Sequence, residues 1–456
     1  MKKLLLPLPF LLCLLLLLLP VFADDDVRVE EYDGFTYAYD AETYTLTISG
    51  EGCVKLNKAF NRNSVRRLVF SEGITEIRNF CIRSLQEVVL PSTLTVLGDQ
   101  AFTDCISLKS IVIPESVTKL DYAAFRACSA LESIVIPPSV TEIPKECFTR
   151  CTRLREVRLP EGVTNIGRQA FDRCTALQTI ELPETLKRIE RFAFSQSGLT
   201  SIALRHVEEI CGYAFRGCQS LTDIDWGDSL RLIGAGAFTN CTQLKKVVLP
   251  DTLERIGAGC FCGFLNRLKL QEATIPGNLK SVPNICFRET SLKQAILRDG
   301  VTEIQSQAFY ACPYLERVVI PESVVTIAPD AFLQYAGFEE RSADAIPFFS
   351  QTLTIVGKSG SAADAYAAEH GLRFEDADTG AIRESSCGTA EVSDVTLEAY
   401  RRWAKIYGYT LRDPSGAVYD PKAERAQWLH VALLCGVSVL LIGIGSLGML
   451  RRRKRK

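Results

Sequence analysis

The chain has 456 residues, with 52 Lys and Arg against 54 Asp and Glu, 17 cysteines and three histidines. This balance gives no basic footprint for nucleic acid. A short period recurring through most of the length also sets aside the usual inference of two or three globular domains.

Residues 1–23 read as a signal peptide: Lys2-Lys3, a Leu-rich run to Leu19, then Val21-Phe22-Ala23 before Asp24. Cys13 lies inside the Leu run without a small residue before it, so a lipoprotein signal is not expected. Without Lys2, Lys3 and the six basic residues at the other end, 44 cations of the 52 remain against 54 acids. The exported part would carry about −10, which favours solubility and repels anionic surfaces.

Residues 24–58 fall outside the period and are expected to form an N-terminal β-hairpin cap. Phe35-Thr-Tyr37-Ala-Tyr39 and Tyr44-Thr-Leu46-Thr-Ile48 alternate around a polar turn. A solenoid needs its first open face covered.

From 59 to 349 the chain repeats. One unit reads Pro114-Glu-Ser-Val117, Leu120, Ala124-Phe125, Cys128, Leu131 and Ile134-Val-Ile136, and Pro137 opens the next. Phe125, Phe148, Phe171 and Phe194 stand 23 apart, and alignment on this aromatic from Phe60 to Phe332 gives thirteen copies. A fixed period of this size marks a solenoid. The fold class is an α/β repeat solenoid of about thirteen 23-residue units, β-capped at the start and closed by strand-helix-strand at the end. In each unit, Leu131-x-x-Ile134-x-Ile136 is a short strand and the following Pro stops its pairing. Val140-Thr-x-Ile143 is a second extended piece, and the Ala-Phe to Cys segment is expected to return the chain as a turn of helix. No unit can bury its Phe, Leu and Ile alone, so the stack is the core. The 26-residue step from Phe261 to Phe287 holds three extra residues around Gly263-Phe264-Leu265-Asn266, expected in a loop.

Residues 350–374 are expected to close the array: a strand at Leu353-Thr-Ile355-Val356, a helix over Ser361–His370 with Gly371 after it, and a strand at Leu372-Arg-Phe374. Residues 375–427 read as a linker and stalk with a short helix after Asp394. Trp428 to Leu450 has no ionised side chain and spans about 34 Å as a helix, enough to cross a bilayer. The basic tail 451–456 would then lie on the cytoplasmic side. The expectation is a single-pass membrane protein with its bulk outside, and Ala432 with Gly436 supplies one small-xxx-small pair.

Cys105, Cys128, Cys151, Cys174, Cys218, Cys241 and Cys312 each stand three residues after the repeat Phe. That regularity points to a small buried group rather than a secreted disulfide framework. Two arrangements remain open: free buried thiols, and a ladder of disulfides between coils about 4.8 Å apart. No His accompanies these cysteines at metal-ligand spacing, so no metal is expected.

The unit Leu-x-x-Ile-x-Ile-Pro-x-x-Val-Thr-x-Ile-x-x-x-Ala-Phe-x-x-Cys resembles the BspA-type (treponemal) leucine-rich repeat over Phe60–Phe332. Both flanks, Tyr44–Gly52 and Thr354–Tyr366, are similar to the segments that bracket such arrays. The resemblance implies a bacterial cell-surface protein of a family that binds host matrix or plasma proteins or partner cells. A sortase signal would need Leu-Pro-x-Thr-Gly before Trp428, and none is present.

No catalytic constellation emerges. His206, His370 and His430 stand far from any Ser, Cys or Asp in a triad pattern. Gly234-Ala-Gly236 and Gly257-Ala-Gly259 occupy equivalent repeat positions, so they read as turn glycines rather than a phosphate loop. No enzyme activity and no cofactor are expected. What remains is the outward position of each strand. It runs Val69, Val89, Val112, Val135, Arg158, Glu181, Ala203, Asp225, Val248, Thr274, Ile296 and Val319. Two aliphatic blocks flank a charged centre. Strand propensity alone would favour Val and Ile here, whereas an exposed stripe of this length would serve a partner. The candidate contacts are Val112, Val135, Arg158, Glu181, Asp225, Val248, Ile296 and Val319, and the expected partner is an extracellular protein or glycan. The alternative is a structural envelope protein that self-associates without a soluble ligand.

Overall fold

The computed structural model describes residues 27–56, 64–263, 268–335, 347–350 and 352–385, with two short pieces at 411–412 and 430–431. The signal peptide, Phe60, the loop residues 264–267, most of the stalk, the membrane segment apart from 430–431, and the basic tail lie outside the described residues. Leu411–Arg412 pairs antiparallel with His430–Val431. Among the described residues, no helix is long and apolar enough to cross a membrane.

The expected solenoid is present, as a β-solenoid whose coils repeat about every 23 residues. Ser133–Val135 pairs in parallel with Glu156–Arg158, with Ile134 opposite Val157. The Thr-x-Ile piece makes a second parallel column, in which Glu142–Ile143 starts a six-stranded sheet ending at Arg255–Ile256. Alternation explains the strands: Ile134 and Val157 are buried, while their neighbours on either side face solvent.

Between the columns lies one continuous aromatic core. The rings from Phe102 to Phe332 stack face to face with centroids 5.1–5.8 Å apart. Full burial of one such side chain contributes roughly 1.5–3 kcal/mol, and the ring pairing adds about 0.5–1.5 kcal/mol.

The thiol column explains itself at atomic distance. Each Sγ reaches the carbonyl of the Phe one coil earlier, as in Cys128 to Phe102 (3.1 Å), Cys174 to Phe148 (3.1 Å) and Cys312 to Phe287 (3.1 Å). The thiol is therefore a buried hydrogen-bond donor as well as a small apolar filler. The seven cysteines of this column form no disulfide, which removes the ladder. Burial pushes the Cys218 thiol up to about 12 and the Cys312 thiol up to about 11. Where the position is Ser197 or Thr290, its hydroxyl meets the thiol of the next coil at 3.3 and 3.2 Å.

The return segment is a tight double turn, not the turn of helix expected. In most coils two residues take the left-handed conformation, for example Glu146 (φ 59°) and Arg150 (φ 63°), then Gln169 and Arg173 at φ 58° and 60°. Their N–H groups donate to the next coil: Glu146 to Arg168 (2.9 Å) and Arg150 to Asp172 (2.8 Å). A helix would turn these bonds inward, whereas the left-handed turns aim them along the stack. Gly236 and Gly259, both at φ 63°, fill the first of these positions, as the turn reading requires.

The N-terminal cap exceeds the expected hairpin. Three strands, β1 (Val27–Tyr32), β2 (Phe35–Asp40) and β3 (Thr45–Ser49), form an antiparallel meander. Beyond the meander, β4 (Gly52–Lys55) starts the second column, and β3 pairs in parallel with β5 (Arg67–Phe70). β5 in turn pairs with the strand Glu87–Val89.

At the other end, the strand Thr354–Gly357 and helix α1 (Ala362–Glu369) form as expected. Ser361 caps α1 by accepting from the Asp364 N–H, and Gly371 follows at φ 63°. The cap continues past 374, correcting the linker start: Arg373–Asp376 pairs in parallel with Thr354–Gly357, and Ile382–Arg383 folds back on it. Asp376 holds this turn by accepting from Ser359 Oγ and from the N–H and Oγ1 of Thr379.

Candidate binding surface

The outward position of the first strand column is solvent-facing where the sequence places it, but unevenly. Val89 is 38% exposed, Val112 84% and Val135 59%, in three successive coils. Arg158, Glu181 and Ala203 follow, also exposed, and Asp225 is half-buried. In the second aliphatic block Val248 is exposed, whereas Ile296 and Val319 are half-buried. The blocks are therefore unequal, and the N-terminal one presents the larger apolar surface.

The register carries this column back through the cap. Val89 lies opposite Val69, Val69 opposite Thr47, Thr47 opposite Ala38, and Ala38 opposite Val29 of β1. Val29 is 59% exposed. The column thus continues from Val89 through the half-buried Val69, Thr47 and Ala38 to the edge strand of the sheet. Sequence reasoning missed this extension because Val27-Arg-Val-Glu-Glu-Tyr32 has no buried face to mark it as a strand.

Two charges of the centre, Arg158 and Asp225, are held in ion pairs. Arg158 Nε lies 2.7 Å from Glu156 and Arg205 Nε 2.7 Å from Asp225. Such exposed pairs hold side chains in place more than they stabilise the fold. Ladder pairing on this face lapses at Val112 and Glu181, where the chain forms no strand, and again between Asp225 and Val248. A shallow crevice opens between the coil at Ile180–Glu184 and the coil at Ala203–Val207. Its cause is legible: the turn Leu204-Arg-His-Val207 is one residue shorter than Leu182-Pro-Glu-Thr-Leu186 in the preceding coil. His206 sits there, with Glu181, Glu184 and Arg205 around it.

Several polar groups outside this column have structural partners. Asp40 accepts from Thr43 in a hairpin turn, which lowers its carboxyl below the usual range. Asp121 pairs with Lys119 at 2.8 Å. His370 packs against Phe349 and Tyr366 at 4.4 and 4.3 Å, and burial lowers its pKa. Among the described residues, no three His, Cys, Asp or Glu are grouped to hold a metal ion.

A stacked array with an open, solvent-facing strand column defines a leucine-rich-repeat scaffold. The chain belongs to the BspA-type leucine-rich-repeat family, whose profile matches in overlapping stretches at 55–174, 141–266 and 208–339. Proteins of this kind are generally non-enzymatic scaffolds for protein interaction. A leucine-rich repeat protein from Bacteroides ovatus has a similar fold, with a TM-score of 0.53 at 21% identity over 78% of this chain and 99% of that one. A leucine rich cell surface protein from Faecalibacterium prausnitzii aligns at 24% identity over 78% and 99%, with a TM-score of 0.40. No curated protein matches this chain.

Proposed function

We propose that this chain is a membrane-anchored, non-enzymatic scaffold on a bacterial surface, binding a protein or glycan through its strand face. The observation that carries the reading is the run of Val89, Val112 and Val135 at 38, 84 and 59% exposure in adjacent coils. A folded chain with an aromatic core this fully buried has no packing reason to leave three aliphatic side chains in line in water, and such patches suit partner sites. The paired charges from Arg158 to Asp225 border that patch and would orient a polar partner. The basic tail after Trp428–Leu450 supports an inside-facing C-terminus.

The test uses the full chain against arrays of extracellular-matrix proteins and of glycans, comparing wild type with Val112→Glu, Val135→Glu and Arg158→Ala. The reading predicts about tenfold weaker binding for the Val variants with unchanged thermal unfolding. Variants that fold and bind like wild type would place the site elsewhere.

A further inference from the structure

The N-terminal edge of the strand face is open. β1 ends its sheet, in the order β1, β2, β3, β5 and then the strand Glu87–Val89, and among the described residues nothing pairs with its outer side. It is six residues long and displays Val27, Val29 and Tyr32 at 43, 59 and 50% exposure. An edge of this length and character is a template for another strand. The opposite edge is protected: Ile382–Arg383 has two residues, and Arg383 is drawn onto Asp364 of α1 at 2.6 Å.

The chemistry of β1 specifies the incoming strand. Asp33 (φ 54°) and Gly34 (φ 80°) form a two-residue hairpin turn, with Tyr32 opposite Phe35. Residues flanking such a turn exchange both backbone hydrogen bonds. By alternation, the backbone groups of Arg28, Glu30 and Tyr32 point to β2, and those of Val27, Val29 and Glu31 point outward. Three outward residues centred on Val29 are symmetric under a two-fold axis through it.

We propose that two copies of this chain pair edge to edge through β1, antiparallel and centred on Val29. In that register Val29 faces the partner's Val29, and Val27 faces the partner's Glu31. On the opposite side of the sheet, Arg28 faces the partner's Glu30, twice by symmetry. Arg28 and Glu30 now satisfy each other within one strand at 2.6 Å, with the Arg side chain 73% exposed, so exchanging that contact across the axis costs little. A register shifted by two residues would set Glu30 against Glu30, which like charge disfavours. Pairing at Val29 fuses two sheets into one and joins the two strand columns end to end. The dimer stands on edge geometry and charge complementarity, independently of any ligand.

The experiment is sedimentation equilibrium of the full chain with a charge swap. Arg28→Glu and Glu30→Arg each set like charges opposite one another at two places, and each should weaken self-association about tenfold. The double variant, and an equimolar mixture of the two single variants, should restore it. Val29→Pro removes an outward N–H without touching the bonds to β2, so it should abolish the dimer and leave thermal unfolding of the monomer in place. A wild-type chain that stays monomeric overturns the proposal. So does self-association indifferent to all four variants, which would place the contact elsewhere, for instance at the anchor.

Discussion

The same repeat position behaves oppositely at the two ends of the strand face. Val112 and Val135 stand in solvent, whereas Val356, next in register after Val319, is 4% exposed. Strand pairing does not decide it, since Val135 and Val356 both lie in parallel strands of the same array. What differs is a lid. Arg317 makes a bidentate pair with Glu375 at 2.6 and 2.8 Å, reaching over the strand Thr354–Gly357 that lies between them. Exposure along a solenoid column is thus decided by what reaches across it, and among the described residues of the N-terminal half the ion pairs on this face stay within one strand or join adjacent strands.

The largest expected effect breaks both regions together. Phe171→Ala removes a ring stacked on both neighbours and fully buried. It should cost about 3–5 kcal/mol, read as a lower midpoint in urea unfolding. Arg317→Ala should instead affect the C-terminal end alone. Loss of a partly exposed bidentate pair should cost roughly 1 kcal/mol and raise hydrogen exchange in the Thr354–Gly357 strand, with the N-terminal coils unchanged.

Acid sharpens the same contrast. Hydrogen bonding to Arg317 lowers Glu375, and bonds from Ser359 and Thr379 hold Asp376 well below the usual carboxylate range. Both folded-state values are depressed, so their stabilisation is present above the unfolded values near pH 4 and lost as pH falls below them. The C-terminal cap should therefore open before the array on acidification, and Asp376→Asn should remove most of that difference in a pH-stepped exchange experiment. Glycine should help the turns. Arg150→Gly relieves a non-glycine left-handed residue (φ 63°) and should raise stability by about 0.5–1 kcal/mol in urea unfolding. Smallest of all, Val112→Glu should change the unfolding free energy by less than about 0.5 kcal/mol in the same urea experiment, because its side chain is already in water.

Much of this was readable from residues. The Phe and Cys spacing gave the stack, and alternation in Ser133-Ile134-Val135 gave which side chains face out. Left-handed turns were not readable at Glu146 or Arg150, because neighbouring coils impose that conformation on ordinary side chains by accepting their N–H groups. The thiol bonds to Phe carbonyls depend on coil separation, which a one-dimensional period does not encode. β1 escaped for want of an apolar face, and the cap beyond Phe374 escaped because Asp376 stabilises it through polar contacts. The lid over Val356 joins Arg317 to Glu375 across 58 residues of chain. No local pattern announces such a contact.

The most direct measurement is carbene footprinting of the full chain, purified and dilute, and again on the intact cells that display it. The account predicts that labelling of Val89, Val112 and Val135 falls on cells while that of Val325, 73% exposed at a position outside this column, stays the same. Equal labelling of the three valines in both settings would contradict it.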